Sequence, residues 1–246
     1  MSVVGVDGCP DGWLAVVYEG DTFARACTHE DFGSVWETHG SAETVLVDVP
    51  IGLREASNEK RPCDDAARAV LGPRSSSVFP PPVRAAVYED SYDDAKALQE
   101  AQTDGSLGVQ SWHIAPKIRQ LDRLLRETVA DARGVVREAH PEVCFWALAD
   151  ERPMAYSKTG QPAAAFWERV AVLERTDDGI LADVQAAGTD LGGGASLDDL
   201  LDAFVLAVTA SDLTGPLRTL PPADSAAAER DPAGLPMEMV YSRRRT

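Results

Sequence analysis

The chain has 246 residues, of which 44% are hydrophobic and 26% are charged, so it can bury a substantial core and is not a disordered chain. Its longest clean apolar run, residues 203–208, is too short for a transmembrane helix, and the first residues lack the basic segment of a signal peptide. We therefore expect a cytoplasmic protein with a single domain over residues 1–246 and no membrane partner.

The charge balance is unusual. There are 40 acidic residues against 23 basic ones, a net charge of −17, and only four of the basic residues are lysines. An acidic, lysine-poor surface is typical of proteins from salt-loving organisms, in which salt screens the repulsion between like charges. Because the acidity fits the solvent, it does not exclude nucleic acid as a partner.

The four cysteines form no C-x-x-C pair, and without a signal peptide they are predicted to be reduced thiols. A zinc site made by Cys9, Cys63, Cys144 and His140 is an alternative that their spacing does not support.

The first fifty residues alternate short apolar runs with turn residues. Three runs separated by turns predict an antiparallel meander of strands, and a helix and an apolar strand follow it. Because this last strand is reached through a helix and is apolar on both faces, we expect it to be a buried parallel strand. The predicted strands are residues 3–6, 13–18, 22–28 and 44–49, with a helix over 29–39.

The remainder is mostly helical by its hydrophobic spacing. Helices are predicted over residues 63–71, 91–101, 116–132, 162–174 and 197–209, strands over 135–139 and 237–242, and loops over 74–82 and 214–236. The order of elements predicts an α/β fold with a mixed five-stranded sheet flanked by helices and carrying helical insertions. This is the order of the ribonuclease H-like fold.

Three aspartates occupy positions where a carboxylate is costly. Asp7 ends the first strand, Asp48 lies in the apolar strand, and Asp202 precedes the apolar body of the last long helix. A buried carboxylate costs several kcal/mol unless it is paired or bound to metal, so we expect the three to converge on one site. The alternative is that Asp7 and Asp48 cap turns, and that Asp198 and Asp199 are ordinary first-turn acids of the helix.

Further candidates are polar groups on short segments. His140 and Glu142 follow a strand and can act as a base and a metal ligand, although Pro141 also makes this segment a good helix start. The proline-bordered loop with Arg74, Ser75 and Ser76 and the loop with Lys158 are candidate substrate contacts.

Several motifs in a specific order resemble the predicted ribonuclease H-like nucleases of the DUF429 family, from about Val3 to Tyr241. They are Val-Gly-Val-Asp7-Gly-Cys-Pro-x-Gly-Trp13, Val-Asp48-Val-Pro-Ile-Gly-Leu53, Arg74-Ser-Ser-Ser-Val-Phe-Pro80, Gln110-x-Trp112 with Pro116-Lys117-Ile118, His140-Pro-Glu142-Val-Cys-Phe145 and Asp199-x-x-Asp202-Ala. The last motif is also similar to the final helix of Holliday-junction resolvases, whose aspartates join one from the first strand and an acid from a later strand.

The residues and the resemblance together lead to an expected function. We expect a nuclease that hydrolyses phosphodiester bonds of DNA or RNA with Mg²⁺ or Mn²⁺, through a two-metal carboxylate site. The expected catalytic residues are Asp7, Asp48, Glu142, Asp199 and Asp202, all but Asp199 as metal ligands, with either Glu142 or Asp199 completing the site. The expected substrate-binding residues are Arg74, Ser75, Ser76, Lys117, His140 and Lys158.

Two alternatives from other classes stay open. One is an actin-like ATPase or phosphotransferase, whose first phosphate loop also follows a strand ending near Asp-x-Gly. The other is a non-catalytic binding protein that retains the ribonuclease H-like fold. The sequence does not indicate an oligomeric state.

Overall fold

A mixed five-stranded sheet forms the centre of the computed structural model, which describes residues 1–128, 132–191 and 193–245. The strand order is β3-β2-β1-β4-β5, in which the β1–β2 and β2–β3 pairs are antiparallel and the β1–β4 and β4–β5 pairs are parallel. This arrangement confirms the predicted α/β sheet and is consistent with a ribonuclease H-like fold. The strands are β1 (Ser2–Cys9), β2 (Gly12–Glu19), β3 (Thr22–His29), β4 (Thr44–Val47) and β5 (Val136–Glu138).

Helices cover both faces of the sheet. They are α1 (Phe32–His39), α2 (Pro62–Leu71), α3 (Arg84–Val87), α4 (Tyr92–Gln102), α5 (Val109–His113), α6 (Ala115–Arg123), α7 (Pro141–Leu148), α8 (Pro162–Glu174), α9 (Ile180–Leu191) and α10 (Leu197–Ala210). A 3-10 turn (Gly72–Ser77) follows α2, a π turn (Leu124–Thr128) follows α6, and a ribbon of β6 (Arg218–Leu220) and β7 (Met239–Tyr241) lies apart from the main sheet. Among the described helices, none has the length and apolarity that a bilayer span requires.

Some element boundaries differ from the sequence predictions for local reasons. The central strand ends at Val47 rather than at residue 49, because Pro50 has no N–H with which to continue the ladder. The first helix begins at Phe32, because β3 runs on to His29 and the Asp31 side chain caps the helix.

Other predictions were wrong over part of their length. Residues 72–77 form a 3-10 turn within what was predicted as a loop, since the three prolines begin only at Pro80. The helix predicted over 116–132 changes to a π turn after Arg123, and residues 129–131 of that prediction lie outside the described residues. The predicted loop over 214–236 contains β6, and α3, α5 and α9 were not predicted as helices, whereas α7 begins at Pro141, as the helix-start alternative predicts.

The two faces of the sheet have separate cores. On one face, Trp13, Ala15 and Val17 of β2 pack with Phe32 and Val35 of α1. On the other face, the alternate β2 residues, Leu14, Val16 and Tyr18, pack against the apolar side of α10. Since side chains alternate along a strand, successive buried residues of β2 face these two cores in turn.

Helix α10 lies unusually close to β1. A Cβ atom on Gly5 would lie 2.2 Å from the Ala203 carbonyl oxygen and 2.2 Å from the Ala207 nitrogen. Only glycine permits this contact between the two backbones. The contact fixes the first turns of α10, including Asp202, near the carboxyl end of β1.

A buried ionic network fixes the segment that follows Asp48. Glu138 of β5 accepts a hydrogen bond from the Ile51 N–H at 2.6 Å and from Arg61 at 2.8 Å. The Arg61 guanidinium also donates to the Ile51 carbonyl at 3.0 Å and to Asp64. Each carboxylate is therefore paired, as buried charges must be to be tolerated.

Candidate functional site

Asp7 and Asp48 lie next to each other at the carboxyl ends of two central strands. Val6 of β1 is paired with Val47 of β4, and the Asp48 N–H donates to the Val6 carbonyl at 3.0 Å, so the ladder continues to Asp48. Asp7 is buried, with 8% of its surface exposed, and Asp48 is half-buried. Burial, followed by the charges of Asp48 and Asp202, raises the pKa of Asp7 well above its ordinary value.

Asp202 reaches the same place from α10. Ser196 caps this helix in a reciprocal pair of hydrogen bonds with Asp199, and Asp202 follows in the next turn. The Lys158 Nζ donates to both carboxylate oxygens of Asp202, at 2.6 Å to Oδ1. Burial raises the pKa of Asp202 to about 6, although the Lys158 charge opposes the shift. The structure therefore brings Asp7, Asp48 and Asp202 together.

The three carboxylates are spread rather than tightly clustered. Among the described residues, two groups of three potential ligand atoms lie within 4.8 Å of one another, and neither group contains these aspartates. One of the groups, Cys63, Asp64 and Glu138, is already bridged by Arg61. The Lys158 ammonium, which contacts both Asp202 oxygens, supplies the positive charge next to Asp202.

Glu142 lies in the first turn of α7 and faces the same cleft. Its Oε1 accepts a hydrogen bond from the Arg169 Nε at 3.1 Å, whereas the buried Oε2 has no hydrogen-bond partner. The charge of Glu142 contributes to the raised pKa of Asp48, after burial. Glu142 is therefore an electrostatic neighbour of the aspartates with one free acceptor atom.

His140 links α7 to the loop that carries Arg74. As the N-cap of α7, its Nδ1 accepts from the Glu142 N–H at 3.2 Å, and its Nε2 lies 3.2 Å from the Ser77 carbonyl oxygen. A carbonyl can only accept, so the imidazole is neutral with its proton on Nε2 when both bonds form. In this state His140 holds the Glu142 N–H and the Ser77 carbonyl in place. Neither ring nitrogen then has a free lone pair with which to act as a general base.

These groups line a cleft of about 460 Å³. Arg74 contributes a buried Nε that has no hydrogen-bond partner, and this N–H donor carries the opposite charge to the Glu142 oxygen. The cleft thus contains both an unsatisfied donor and an unsatisfied acceptor. Its lining includes Asp48, Glu142, Asp202, Arg74, Ser76, His140 and Lys158.

Four predicted site residues lie outside this lining, and one of them is Asp7, which is buried beside Asp48 and Asp202. The Ser75 carbonyl accepts a hydrogen bond from Arg68 on the far side of its turn. Lys117 donates to the Cys9 carbonyl at 3.3 Å and to that of Gly12, and its ammonium lies over the Trp13 ring, so it holds the β1–β2 turn. Asp199 is half-buried in the capping pair, but its charge still contributes to the raised pKa of Asp7.

Some lining residues were not predicted from the sequence. Arg169 of α8 is 1% exposed and fixes Glu142, and Gln110 also lines the cleft. A signal for Arg169 was present, because it is a charged residue directly before the apolar residues of Val170–Leu173. Such a residue on a buried helix face requires a partner.

The chemistry of the donor set suits a hard divalent cation. Carboxylate oxygens are the ligands that Mg²⁺ and Mn²⁺ prefer, and the free Oε2 of Glu142 is a buried acceptor that a cation can satisfy. Binding at Asp202 requires Lys158 to move away, because its ammonium contacts both oxygens. The residues therefore fit such an ion provided that the loop carrying Lys158 rearranges.

The comparisons with known proteins give a family but no characterised relative. A family model described as "Protein of unknown function (DUF429)" matches residues 5–226, from β1 to beyond β6. No curated protein matches the chain significantly, and no solved structure does. Because the matched segment is most of the 246 residues, the chain belongs to the DUF429 family.

Proposed function

We propose that the protein is a metal-dependent nuclease that hydrolyses phosphodiester bonds in nucleic acid. The observation that carries the proposal is the meeting of Asp7, Asp48 and Asp202 at one end of the central strands, with Glu142 facing the same cleft. Burial raises the pKa values of all three aspartates, and neighbouring acidic groups, Glu142 in the case of Asp48, add to the shift, a cost that a structural role does not require. A bound cation would offset that cost.

Asp7, Asp48, Asp202 and Glu142 are the residues that would hold Mg²⁺ or Mn²⁺. Bound in pairs, such ions activate a water molecule and stabilise the leaving oxygen of a phosphodiester. Lys158, released from Asp202, can then contact a phosphate from the cleft wall. No covalent nucleophile is needed.

The turn that carries Arg74 and Ser76 would contact the substrate, because both residues line the cleft. Arg74 has a buried Nε without a partner, and a guanidinium N–H is a strong donor to phosphate oxygens. The Ser76 side chain is exposed at the same wall. This wall supplies positive charge and hydroxyl groups on a protein of net charge −17.

The actin-like alternative is less well supported. That fold needs two lobes, whereas the described residues form one five-stranded sheet and one two-stranded ribbon. The non-catalytic alternative accounts for the fold but not for the raised pKa values in the cleft. The cytoplasmic location and the adaptation to high salt stay predictions of the sequence.

The proposal is tested by hydrolysis assays on single- and double-stranded DNA, RNA and branched DNA, with Mg²⁺, with Mn²⁺ and with chelator. We expect metal-dependent cleavage of at least one substrate. Asp7→Asn and Asp202→Asn should each lower it on the order of 100-fold or more, as the loss of one group stabilising developing charge does. They should also abolish the rise in Tm that Mn²⁺ causes in the wild type.

Asp198→Asn is the matched control, because Asp198 is exposed in the first turn of the helix that carries Asp202. It should retain wild-type cleavage. A rise in Tm with Mn²⁺ but no cleavage of any substrate would favour the binding protein. ATP hydrolysis without nucleic acid cleavage would favour the phosphotransferase, and cleavage by Asp7→Asn at the control's rate would remove the carboxylate site.

A further inference from the structure

A second group of potential metal ligands lies on the opposite face of the sheet from the carboxylates. Cys27 and His29 are two residues apart on β3 and so point to the same side. Their partners on β2, Ala15 and Trp13, belong to the core that packs against α1. His39, the last residue of α1, completes the group from above.

The carboxylate cleft lies on the other face. Val4 and Val6 of β1 belong to the α1 core, so Asp7, at the next position, points away from it toward α10. The two groups of residues therefore do not share side chains, and an ion in one would not be an ion in the other.

The three donor atoms lie at the corners of a small triangle. The Nε2 atoms of His29 and His39 are 3.2 Å apart, and the Cys27 Sγ is 3.4 Å from the first and 3.7 Å from the second. His39 is 4% exposed, while Cys27 and His29 are half-buried.

These separations are those of ligands around one zinc ion. With Zn–N of about 2.05 Å, Zn–S of about 2.3 Å and tetrahedral angles, two nitrogens lie about 3.3 Å apart and a nitrogen and a sulfur about 3.6 Å apart. The N–N separation of 3.2 Å and the N–S separations of 3.4 and 3.7 Å agree with both values. The three donor atoms therefore need almost no change in their separations to bind one ion.

We propose that Cys27, His29 and His39 bind a Zn²⁺ ion that joins the end of α1 to the edge strand β3. One sulfur and two imidazole nitrogens favour Zn²⁺ over Mg²⁺, which prefers oxygen ligands. The partial negative charge at the carboxyl end of α1 also favours a cation there.

Three protein ligands leave the fourth coordination position of a tetrahedral zinc ion open. Among the described residues, no further Cys, His, Asp or Glu completes the group of three. Cys27 and His29 are partly exposed, so a water molecule can reach the ion and take this position. The ion would tie together two elements joined only by a two-residue turn and side-chain packing, at an edge of the sheet.

The experiment uses the full chain, stripped of metal with chelator and kept in excess Mg²⁺ so that hard-cation sites are occupied. Co²⁺ is titrated first, because the thiolate-to-Co²⁺ charge-transfer band reports cysteine ligation, and Zn²⁺ then displaces it. We expect one equivalent of Co²⁺ to produce the band in the wild type. Cys27→Ser should lose the band, and His39→Gln should bind Zn²⁺ at least about 100-fold more weakly, beyond the cost of losing an outer partner of a metal site.

His113→Gln is the matched control, since His113 is an exposed histidine at the end of α5 and should leave the band unchanged. A second measurement needs no variant. Cys9, Cys63 and Cys144 are buried and Cys27 is not, so a thiol reagent should modify Cys27 first in the native protein. Saturating Zn²⁺ should suppress this labelling at least tenfold.

Three results would overturn the proposal. They are the absence of the Co²⁺ band in the wild type, its persistence in Cys27→Ser, and labelling of Cys27 that saturating Zn²⁺ does not change. None of these readouts involves hydrolysis, so this proposal and the proposed nuclease function can fail independently.

Discussion

Asp7 carries the largest electrostatic cost among the carboxylates of the candidate site. Among the described residues, the Asp7 carboxylate accepts one hydrogen bond, from the Gly8 N–H at 2.7 Å. The acidic groups near it are Asp48, Asp202 and Asp199. Lys158 is nearby, but its ammonium is engaged by Asp202. In the absence of metal, the folded protein therefore holds a proton on Asp7 more tightly than the unfolded chain does.

This difference predicts how Asp7→Asn changes stability with pH. Because the folded pKa of Asp7 is raised, the wild type loses stability as pH rises from the ordinary aspartate value of about 4 through that raised value. Asp7→Asn cannot ionise and should avoid the loss. In chelator at pH 7 it should be more stable than the wild type on the order of 1–4 kcal/mol, with the gain vanishing near pH 4.

Urea unfolding between pH 4 and pH 8 measures the effect, with Asp11→Asn as the control, because Asp11 is exposed in the turn that follows β1. The control should follow the wild type at every pH. A gain for Asp7→Asn that is equally large at pH 4 and pH 8 would show that packing rather than charge is responsible.

The positions of the aspartates could be predicted from the sequence, but their partners could not. Asp7 lies near the end of β1 and Asp48 directly follows β4, and a ribonuclease H-like order places these two strands side by side, so local pattern and topology suffice. The Lys158–Asp202 and Arg169–Glu142 contacts join residues 44 and 27 positions apart, through a loop and a helix whose packing no local pattern specifies. The Cys27, His29 and His39 group was missed because its spacing matches no familiar zinc motif.

At the scale of elements, the contact between α10 and β1 controls the geometry of the cleft. Gly5 lets the two backbones approach, and Asp202 lies one residue before Ala203, whose carbonyl faces Gly5. Any displacement of α10 from the sheet therefore moves Asp202 away from Asp7. The close packing at Gly5 therefore sets the position of the Asp202 carboxylate through α10.

Gly5→Ala tests this coupling. The new methyl group would overlap the backbone atoms of Ala203 and Ala207, so unfolding free energy should fall by about 3 kcal/mol, at the upper end of the cost of overpacking. The rise in Tm caused by Mn²⁺ should shrink as well, because Asp202 is displaced. Chemical denaturation and thermal melts with and without Mn²⁺ measure both effects.

Gly188→Ala is the matched control, since its new methyl group would meet only the Leu200 side chain, at an ordinary distance of 3.5 Å. Because Gly188 lies within α9 and alanine favours a helix more than glycine does, this variant should have a slightly higher free energy of unfolding than the wild type. Equal stability of the Gly5→Ala protein and the wild type would contradict the close contact described for α10.

At the scale of the whole molecule, the net charge of −17 acts on every element at once. Self-repulsion between acidic groups destabilises the compact state, and salt reduces it by screening. The described ion pairs offset only part of this repulsion, because acids outnumber bases by 40 to 23. Stability should therefore depend on ionic strength more than in a protein of balanced charge.

We expect Tm at pH 7 to rise as NaCl increases from about 0.1 M to about 1 M, over which the Debye length falls from about 10 Å to about 3 Å. At pH 4, where many carboxylates are protonated, the same increase should raise Tm much less. Melting curves at both pH values measure this. A Tm that is flat or falls with salt at pH 7 would contradict the role given to net charge.

The buried network of Arg61, Asp64 and Glu138 has a consequence for how this chain can change over generations. Replacing Arg61 alone strands two carboxylates away from water, and replacing Glu138 alone removes both an acceptor for Arg61 and the anchor of the Ile51 N–H. Replacing Arg61 or Glu138 alone should therefore destabilise the folded protein strongly. We therefore expect that, over generations, this support of the backbone after Asp48 can be exchanged for another only when several of these residues change together.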